Sequence, residues 1–255
     1  MWRERLAQLS YENTIPMFGQ DHLIYLLVIL LVSATFLIFA KKTFDKERAN
    51  KVATVLGIIA LVHLFLEIPV LRLVLGLPLA TSLPLHLCNF GMIMVGILLI
   101  TRKQRAFNLA YFWALCGASQ SLLTPNLSYI FPHPLAITFF TAHTIEIVGV
   151  LYAVIILKMR PRWSSIPKVM LVTAGLAALI FPINYIHPDA NYMFLKFAPL
   201  GGSLIDLLGP WPWYILSLVG VALLFFVIAY LPYAISDGIK NRRETLLRQG
   251  YEGQA

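Results

Sequence analysis

Seven continuous apolar runs of about 17 to 23 residues, separated by short polar segments, restrict the fold of this chain more than any other feature. A helix needs about 20 apolar residues to cross the hydrocarbon core of a bilayer. A membrane β-barrel would instead show alternating segments of about 10 residues. We therefore predict an all-α membrane protein with a seven-helix bundle. The predicted spans are His22–Ala40, Val52–Val74, Leu83–Ile100, Phe107–Leu123, Leu135–Leu157, Val169–Tyr185 and Trp211–Tyr233.

The composition agrees with a chain that exposes little surface to water. Of 255 residues, 59% are hydrophobic and 13% are charged, whereas soluble domains have about 45–50% apolar and about 25% charged residues. The net charge of +8 does not indicate nucleic acid, because the basic residues separate the apolar runs and form no patch or stripe. We predict a single integral membrane domain over residues 1–255 and no nucleic-acid partner.

The basic residues alternate between the two sides of the predicted bundle. Sixteen of the 20 lysines and arginines lie in the first, third and fifth connections and after the last run. Lysine and arginine accumulate on the cytoplasmic side of membrane proteins. We therefore predict an outside N-terminus, a cytoplasmic C-terminus and a multi-pass integral protein of the cell membrane. The other four basic residues are Arg3, Arg5, Arg72 and Lys196.

Polar side chains within the apolar runs cluster in the outer half of the predicted bundle. An ionisable group in the bilayer costs at least a few kcal/mol, so such groups are candidates for a functional site. Because consecutive spans alternate in direction, we expect these side chains to share one outward-facing polar cavity. They are His63, Glu67, His86, Cys88, Asn89, Gln120, His143, Glu146 and Asn184.

Helical spacing groups some of these residues. His63 and Glu67 are four residues apart and His143 and Glu146 three, so each pair shares a helix face. Cys88 follows His86 by two residues, about 200° around a regular helix, so both face one pocket only if the third span begins irregularly. A carboxylate beside an imidazole is a common support for a general base. A structural network of paired polar groups would have the same spacing.

The sequence contains few signals for other kinds of site. It has no His-x-x-x-His or Cys-x-x-Cys pair, and no phosphate-binding loop or dinucleotide fingerprint, so we predict neither a metal nor a cofactor. The second cysteine, Cys116, is best interpreted as a small packing residue.

Five motifs suggest a family. LPLHLCNF at 83–90, YFWALCGASQSLLTPNLS at 111–128, TAHTIE at 141–146, NYMFLKFAP at 191–199 and LLGPWPWYIL at 207–216 resemble the YwaF-type bacterial integral membrane proteins. The resemblance implies a location in the bacterial plasma membrane. That family is distantly similar to the eukaryotic transmembrane protein 164, to which an acyltransferase role on ether phospholipids is attributed. The resemblance implies that Cys88 carries an acyl group and that His143 matches the histidine of the fifth span. Asn89 stands where the eukaryotic motif has histidine.

These features predict an enzyme that acts on lipid acyl chains. A thiol activated by His143, with Glu146 holding the imidazole, would form a thioester and pass the acyl chain to a lysolipid or water. The expected partners are membrane phospholipids or lysolipids. Two other functions remain open: a proton-coupled or small-solute transporter or channel that uses the same histidines and glutamates, and a non-catalytic lipid-binding protein.

Overall fold

The structure, a computed structural model, describes residues 17–125, 127, 129, 131–188, 190–199 and 204–252. The N-terminus that is predicted to lie outside, with Arg3 and Arg5, falls outside this part of the chain.

Helices form almost all of the described chain, which contains no β-strand. The all-α prediction is confirmed. The main helices are α1 Gln20–Thr43, α2 Lys46–Phe65, α3 Leu87–Thr101, α4 Gln104–Trp113, α5 Pro134–Ile155, α6 Ile166–Ile186 and α7 Trp213–Glu252. Short 3₁₀ turns occur at Leu79–Thr81, Trp163–Ser165, Tyr192–Phe194 and Leu204–Leu208. In the described residues, α1, α2, α5, α6 and α7 are long and apolar enough to cross a membrane, and α3 is a shorter apolar helix.

Two helices continue through π-helical turns. After α2 the chain runs through the π-turn Leu66–Leu71 into Arg72–Val74, and after α4 it runs through Ala114–Ala118 into Ser119–Leu123. The first π-turn contains Pro69, which has no N–H to donate to the regular i→i−4 ladder. Wider π-turns of this kind occur often at functional sites.

The local sequence explains several helix ends. Asp45 caps α2 by accepting a hydrogen bond from the Arg48 N–H at 2.7 Å, and His133 caps α5 ahead of Pro134. The third helix begins at Leu87, four residues later than the predicted span, because the chain is extended at His86. The last helix runs well past the predicted end at Tyr233 and continues to Glu252.

Glycines allow three helices to pack closely. A Cβ atom on Gly57 of α2 would lie 2.8 Å from the carbonyl oxygen of Gly96 on α3, and one on Gly149 of α5 would lie 2.6 Å from Cγ1 of Val95. Small residues at such contacts are typical of helix packing in membranes. Helix α3 therefore packs closely against both α2 and α5, which also contact each other. By contrast, α1 exposes residues such as Leu30 along its length.

Candidate functional site

The polar residues of α2, α3 and α5 meet beside the start of α3. Cys88 lies within electrostatic range of the carboxyl groups of Glu67 and Glu146. His143 lies within range of His63, and His86 within range of His143 and Arg72. Residues that are far apart in sequence are thus brought into one cluster on three helices. We call it the charged cluster, and it consists of His63, Glu67, Arg72, His86, Cys88, His143 and Glu146.

The packing of α3 against α5 fixes the register of the two helices. A Cβ atom on Gly91 would overlap Oε2 of Glu146, and one turn further along Val95 packs against Gly149. Residue numbers increase together along both helices, so the helices run parallel. Cys88 and His143 each lie one turn nearer the start of their helix than Gly91 and Glu146, so we expect the same register to bring them to the same level of the bundle.

Cys88 lies in the first turn of α3, where it is half-buried. The backbone N–H groups of Cys88 and Asn89 lie close to its sulfur. The N-terminus of a helix carries a partial positive charge, which favours an anion such as a thiolate. The start of α3 therefore provides a polar setting for the thiol.

His86 and Cys88 can face the same cluster because the helix starts between them. His86 has an extended backbone (φ −75°, ψ 153°) and stands just before the first helical residue. Its N–H donates a 3.0 Å hydrogen bond to Oδ1 of Asn89. The 200° separation expected of a regular helix does not apply here.

His143 is oriented by its own helix. Its Nδ1 lies 2.7 Å from the Phe139 carbonyl oxygen, and because a carbonyl only accepts, Nδ1 is the donor. In the neutral ring, Nε2 then carries the lone pair and can accept a proton. This differs from the prediction that Glu146 holds the imidazole, because the carbonyl one turn back lies within reach of Nδ1.

Glu146 packs instead against the backbone of α3. Its side chain is buried next to Gly91, and Oε2 has no hydrogen-bond partner among the described residues. A buried polar atom without a partner costs about 1–3 kcal/mol, which favours a ligand or a functional role at this position.

The α2 side of the cluster contains an ion pair. Nε of Arg72 lies 3.7 Å from Oε1 of Glu67, and both side chains are largely buried. The Nδ1 atom of His63, one turn before Glu67, is buried and has no partner in the described part of the chain.

Three other predicted residues have separate roles in the structure. Asn184 uses its amide group on the backbone of Tyr192, accepting from its N–H at 2.7 Å and donating to its carbonyl at 3.0 Å. Gln120 is half-buried in the helical turn Ser119–Leu123. Cys116 packs against the main hydrophobic core, as the sequence suggested. The assignment of Asn184 and Gln120 to a shared cavity stays a prediction.

A loop that the sequence did not assign to the site packs beside the charged cluster. The Tyr192 hydroxyl accepts a 2.9 Å hydrogen bond from the Leu83 N–H, and the Tyr192 ring lies edge-on to His86 at 5.2 Å between centroids. Met193 and Phe194 both have positive φ angles. Adoption of this rare conformation by two bulky residues in succession shows that the surrounding contacts hold the loop tightly. The motif NYMFLKFAP is the sequence signal for this loop.

Comparison with known proteins identifies the family. The model of the TMEM164 family matches residues 17–230. The chain belongs to this family. An uncharacterized protein of Treponema pallidum (strain Nichols) is 28% identical over 241 residues, which cover 92% of this chain and 97% of that protein. No solved structure matches. The family match includes every residue of the charged cluster.

Proposed function

We propose that the seven helical segments all cross the membrane and that the charged cluster faces the outer side. The alternation of basic loops supports this arrangement, with the N-terminus outside and the C-terminus in the cytoplasm. The 15 residues of α3 span only about 22 Å of a hydrocarbon core of about 30 Å. Its first turn therefore lies at membrane depth, covered by the loop around Tyr192. We also keep the grouping with YwaF-type bacterial proteins as part of the proposal.

The function that this geometry supports best is acyl transfer between membrane lipids through a thioester on Cys88. The observation that carries it is the α3–α5 register, in which Gly91 meets Glu146, so we expect Cys88 and His143, one turn earlier on each helix, to lie at the same level. Membership of the TMEM164 family is compatible with this proposal. The position of the thiol at lipid depth favours an acyl chain of a phospholipid as the transferred group.

In the first half of the reaction, Nε2 of His143 takes the thiol proton and the sulfur of Cys88 attacks the carbonyl carbon of a lipid ester. The bond between the carbonyl carbon and the ester oxygen breaks, and the lysolipid oxygen leaves with the proton from His143. The N–H groups at the start of α3 are donors for the negative charge that develops on the carbonyl oxygen. The product of this step is an acyl thioester on Cys88.

In the second half, His143 removes the proton from the hydroxyl group of a lysolipid or a water molecule. That oxygen attacks the thioester carbonyl, the carbon–sulfur bond breaks, and the thiol is restored by the proton from His143. The net reaction is acyl transfer with a lysolipid acceptor and hydrolysis with water.

The two cysteines allow a direct test. The purified protein would be placed in phosphatidylethanolamine vesicles that contain a lipid with a labelled acyl chain and lysophosphatidylethanolamine. We expect labelled product, and a hydroxylamine-sensitive acyl adduct on the peptide that contains Cys88. Cys88→Ala removes adduct and product, whereas Cys116→Ala, the matched control, retains both. Turnover by the Cys88→Ala protein, or an adduct on Cys116 alone, contradicts the proposal.

Transport of protons or a small solute is the second candidate. The observation that favours it is that Nδ1 of His63 and Oε2 of Glu146 are among the buried polar atoms that have no partner in the described residues, since intramembrane ionisable groups often form proton relays. The same vesicles, loaded with a pH-sensitive dye, distinguish the two functions. Proton flux that survives Cys88→Ala and disappears in Glu146→Gln supports transport.

A further inference from the structure

A second site lies at the opposite end of the bundle from the charged cluster. A cavity of about 490 Å³ opens where α1 ends, α2 begins, and α3 and α5 end. Its apolar wall includes Phe44, Ile155 and Met159. The acyl enzyme proposed above does not use this cavity.

Four basic residues surround the cavity. Three of them, Lys41, Lys46 and Lys158, are exposed, and none forms an ion pair with a described carboxylate. Among the described residues that line the cavity, Asp45 is the only acidic one, and its Oδ1 already accepts the Arg48 N–H. The lining thus has an excess of positive charge.

The fourth basic residue, Arg102, is fixed in position. Its Nη2 donates a 2.9 Å hydrogen bond to Oγ1 of Thr54 and a further one to the Asn50 carbonyl. Because these contacts fix the guanidinium group, it supplies a stationary positive charge at the base of the cavity. The three lysines, on flexible stems, are the groups that can reach a ligand directly.

We propose that this cavity binds the phosphate headgroup of an anionic lipid. The cavity lies at the ends of membrane-crossing helices, at the level of lipid headgroups. Lysines there attract anionic lipids, while the apolar wall suits the glycerol region and the upper parts of the acyl chains. On the adjoining surface of α1, Ile38 and Phe39 are about half exposed and provide a lipid-facing path for the chains.

The proposal is tested by native mass spectrometry of the full chain in detergent. The protein is mixed with dioleoylphosphatidylglycerol and dioleoylphosphatidylcholine in varying ratios, and the bound molecules of each lipid are counted. We expect preferential retention of phosphatidylglycerol. The triple variant Lys41→Gln, Lys46→Gln, Lys158→Gln should bind it roughly a hundredfold more weakly, since each lysine near an anionic surface contributes a factor of about five.

The matched control removes the same number of charges from the exposed part of α7, as Lys240→Gln, Arg242→Gln, Arg243→Gln. It should retain phosphatidylglycerol within a factor of about three. Met159→Trp keeps all the charges but fills the cavity, and should also displace the lipid. The proposal would be overturned if the two triple variants lost phosphatidylglycerol binding equally, or if Met159→Trp bound the lipid undiminished. It would also be overturned if an equal concentration of inorganic phosphate displaced the lipid.

Discussion

The contact between Gly91 and Glu146 is the tightest point of the proposed active site. The carboxyl group occupies the space that a Cβ atom of residue 91 would need. Gly91 therefore positions Glu146 next to the turn that carries Cys88. A larger residue at position 91 would have to displace the buried side chain of Glu146, although nothing in the polar pattern of the sequence points to this position.

Gly91→Ala should consequently destabilise the protein, by about 1–3 kcal/mol, as expected for an extra methyl group in a packed site. The measurement is the midpoint of thermal unfolding in one detergent. Gly175→Ala is the control, because a Cβ at Gly175 has no atom within 4 Å and alanine is favoured over glycine in a helix by up to about 1 kcal/mol. Equal midpoints for the two variants would show that Glu146 is not held against α3.

His143 should control the reactivity of Cys88. In His143→Gln the side chain can still donate to the Phe139 carbonyl, but it cannot accept a thiol proton. We expect the rate of acylation at Cys88 to fall about 10²–10⁴-fold, the usual contribution of a general base. His187→Gln changes an exposed histidine outside the cluster and should leave the rate unchanged. If the two variants acylated Cys88 at comparable rates, His143 would not be the general base.

Among the helices, the close approach of α2 and α3 sets the distance between Glu67 and Cys88. A Cβ atom on Gly57 would lie 2.8 Å from the backbone oxygen of Gly96, whereas one on Gly96 would lie 2.6 Å from Cδ2 and Cγ of Leu61 and farther, 3.2 Å, from the backbone oxygen of Gly57. The Leu61 side chain can adopt another rotamer, whereas the Gly96 carbonyl oxygen can move only if the helix moves. We therefore expect alanine to be tolerated less well at position 57 than at position 96.

Gly57→Ala should lower the thermal midpoint more than Gly96→Ala and should also reduce acyl transfer, because it pushes α2 away from α3. The comparison is made on the two variants purified in the same detergent, with unfolding and turnover measured on each sample. A larger loss in Gly96→Ala would mean that Leu61 has no alternative rotamer and that the argument from backbone contact is wrong.

The sequence predicted the helices better than their ends and contacts. Each apolar run overlaps a helical segment, because the length and continuity of such runs directly express burial in lipid. The start of α3 was not predictable in the same way. The stretch around Pro84 is as apolar as a span, and only contacts made by Tyr192, more than 100 residues away, show that the chain is irregular there.

Most members of the charged cluster could be identified from the sequence, but the hydrogen-bond partner of His143 could not. Polarity at membrane depth identified His143 and Glu146, and spacing placed them on one face of α5. The partner of His143 Nδ1 proved to be a backbone carbonyl, which no side-chain pattern reveals. Four glycines that allow the close contacts between helices were a signal available in the sequence, since small residues mark such interfaces. These are Gly57, Gly91, Gly96 and Gly149.

At the level of the whole molecule, the proposed topology predicts which loops are accessible from each side. In a Cys88→Ala, Cys116→Ala background, single cysteines at Lys46, Lys103, Arg160 and Arg242 should react with a membrane-impermeant maleimide only after the cytoplasmic face is opened. Cysteines at Phe131 and His187, both exposed, should react in intact cells. Labelling of both groups from one side would contradict the seven-span arrangement.

The length of α7 has a consequence for hydrogen exchange along the helix. Its 40 residues extend about 60 Å, roughly twice the thickness of the hydrocarbon core. In the lipid-embedded half, amide protons are shielded from water. From about Ala234 to Glu244 most side chains are exposed, so little packing holds these turns closed. Deuterium uptake should be slow up to about Tyr233 and then accelerate turn by turn, so a single unbroken helix will show two exchange regimes.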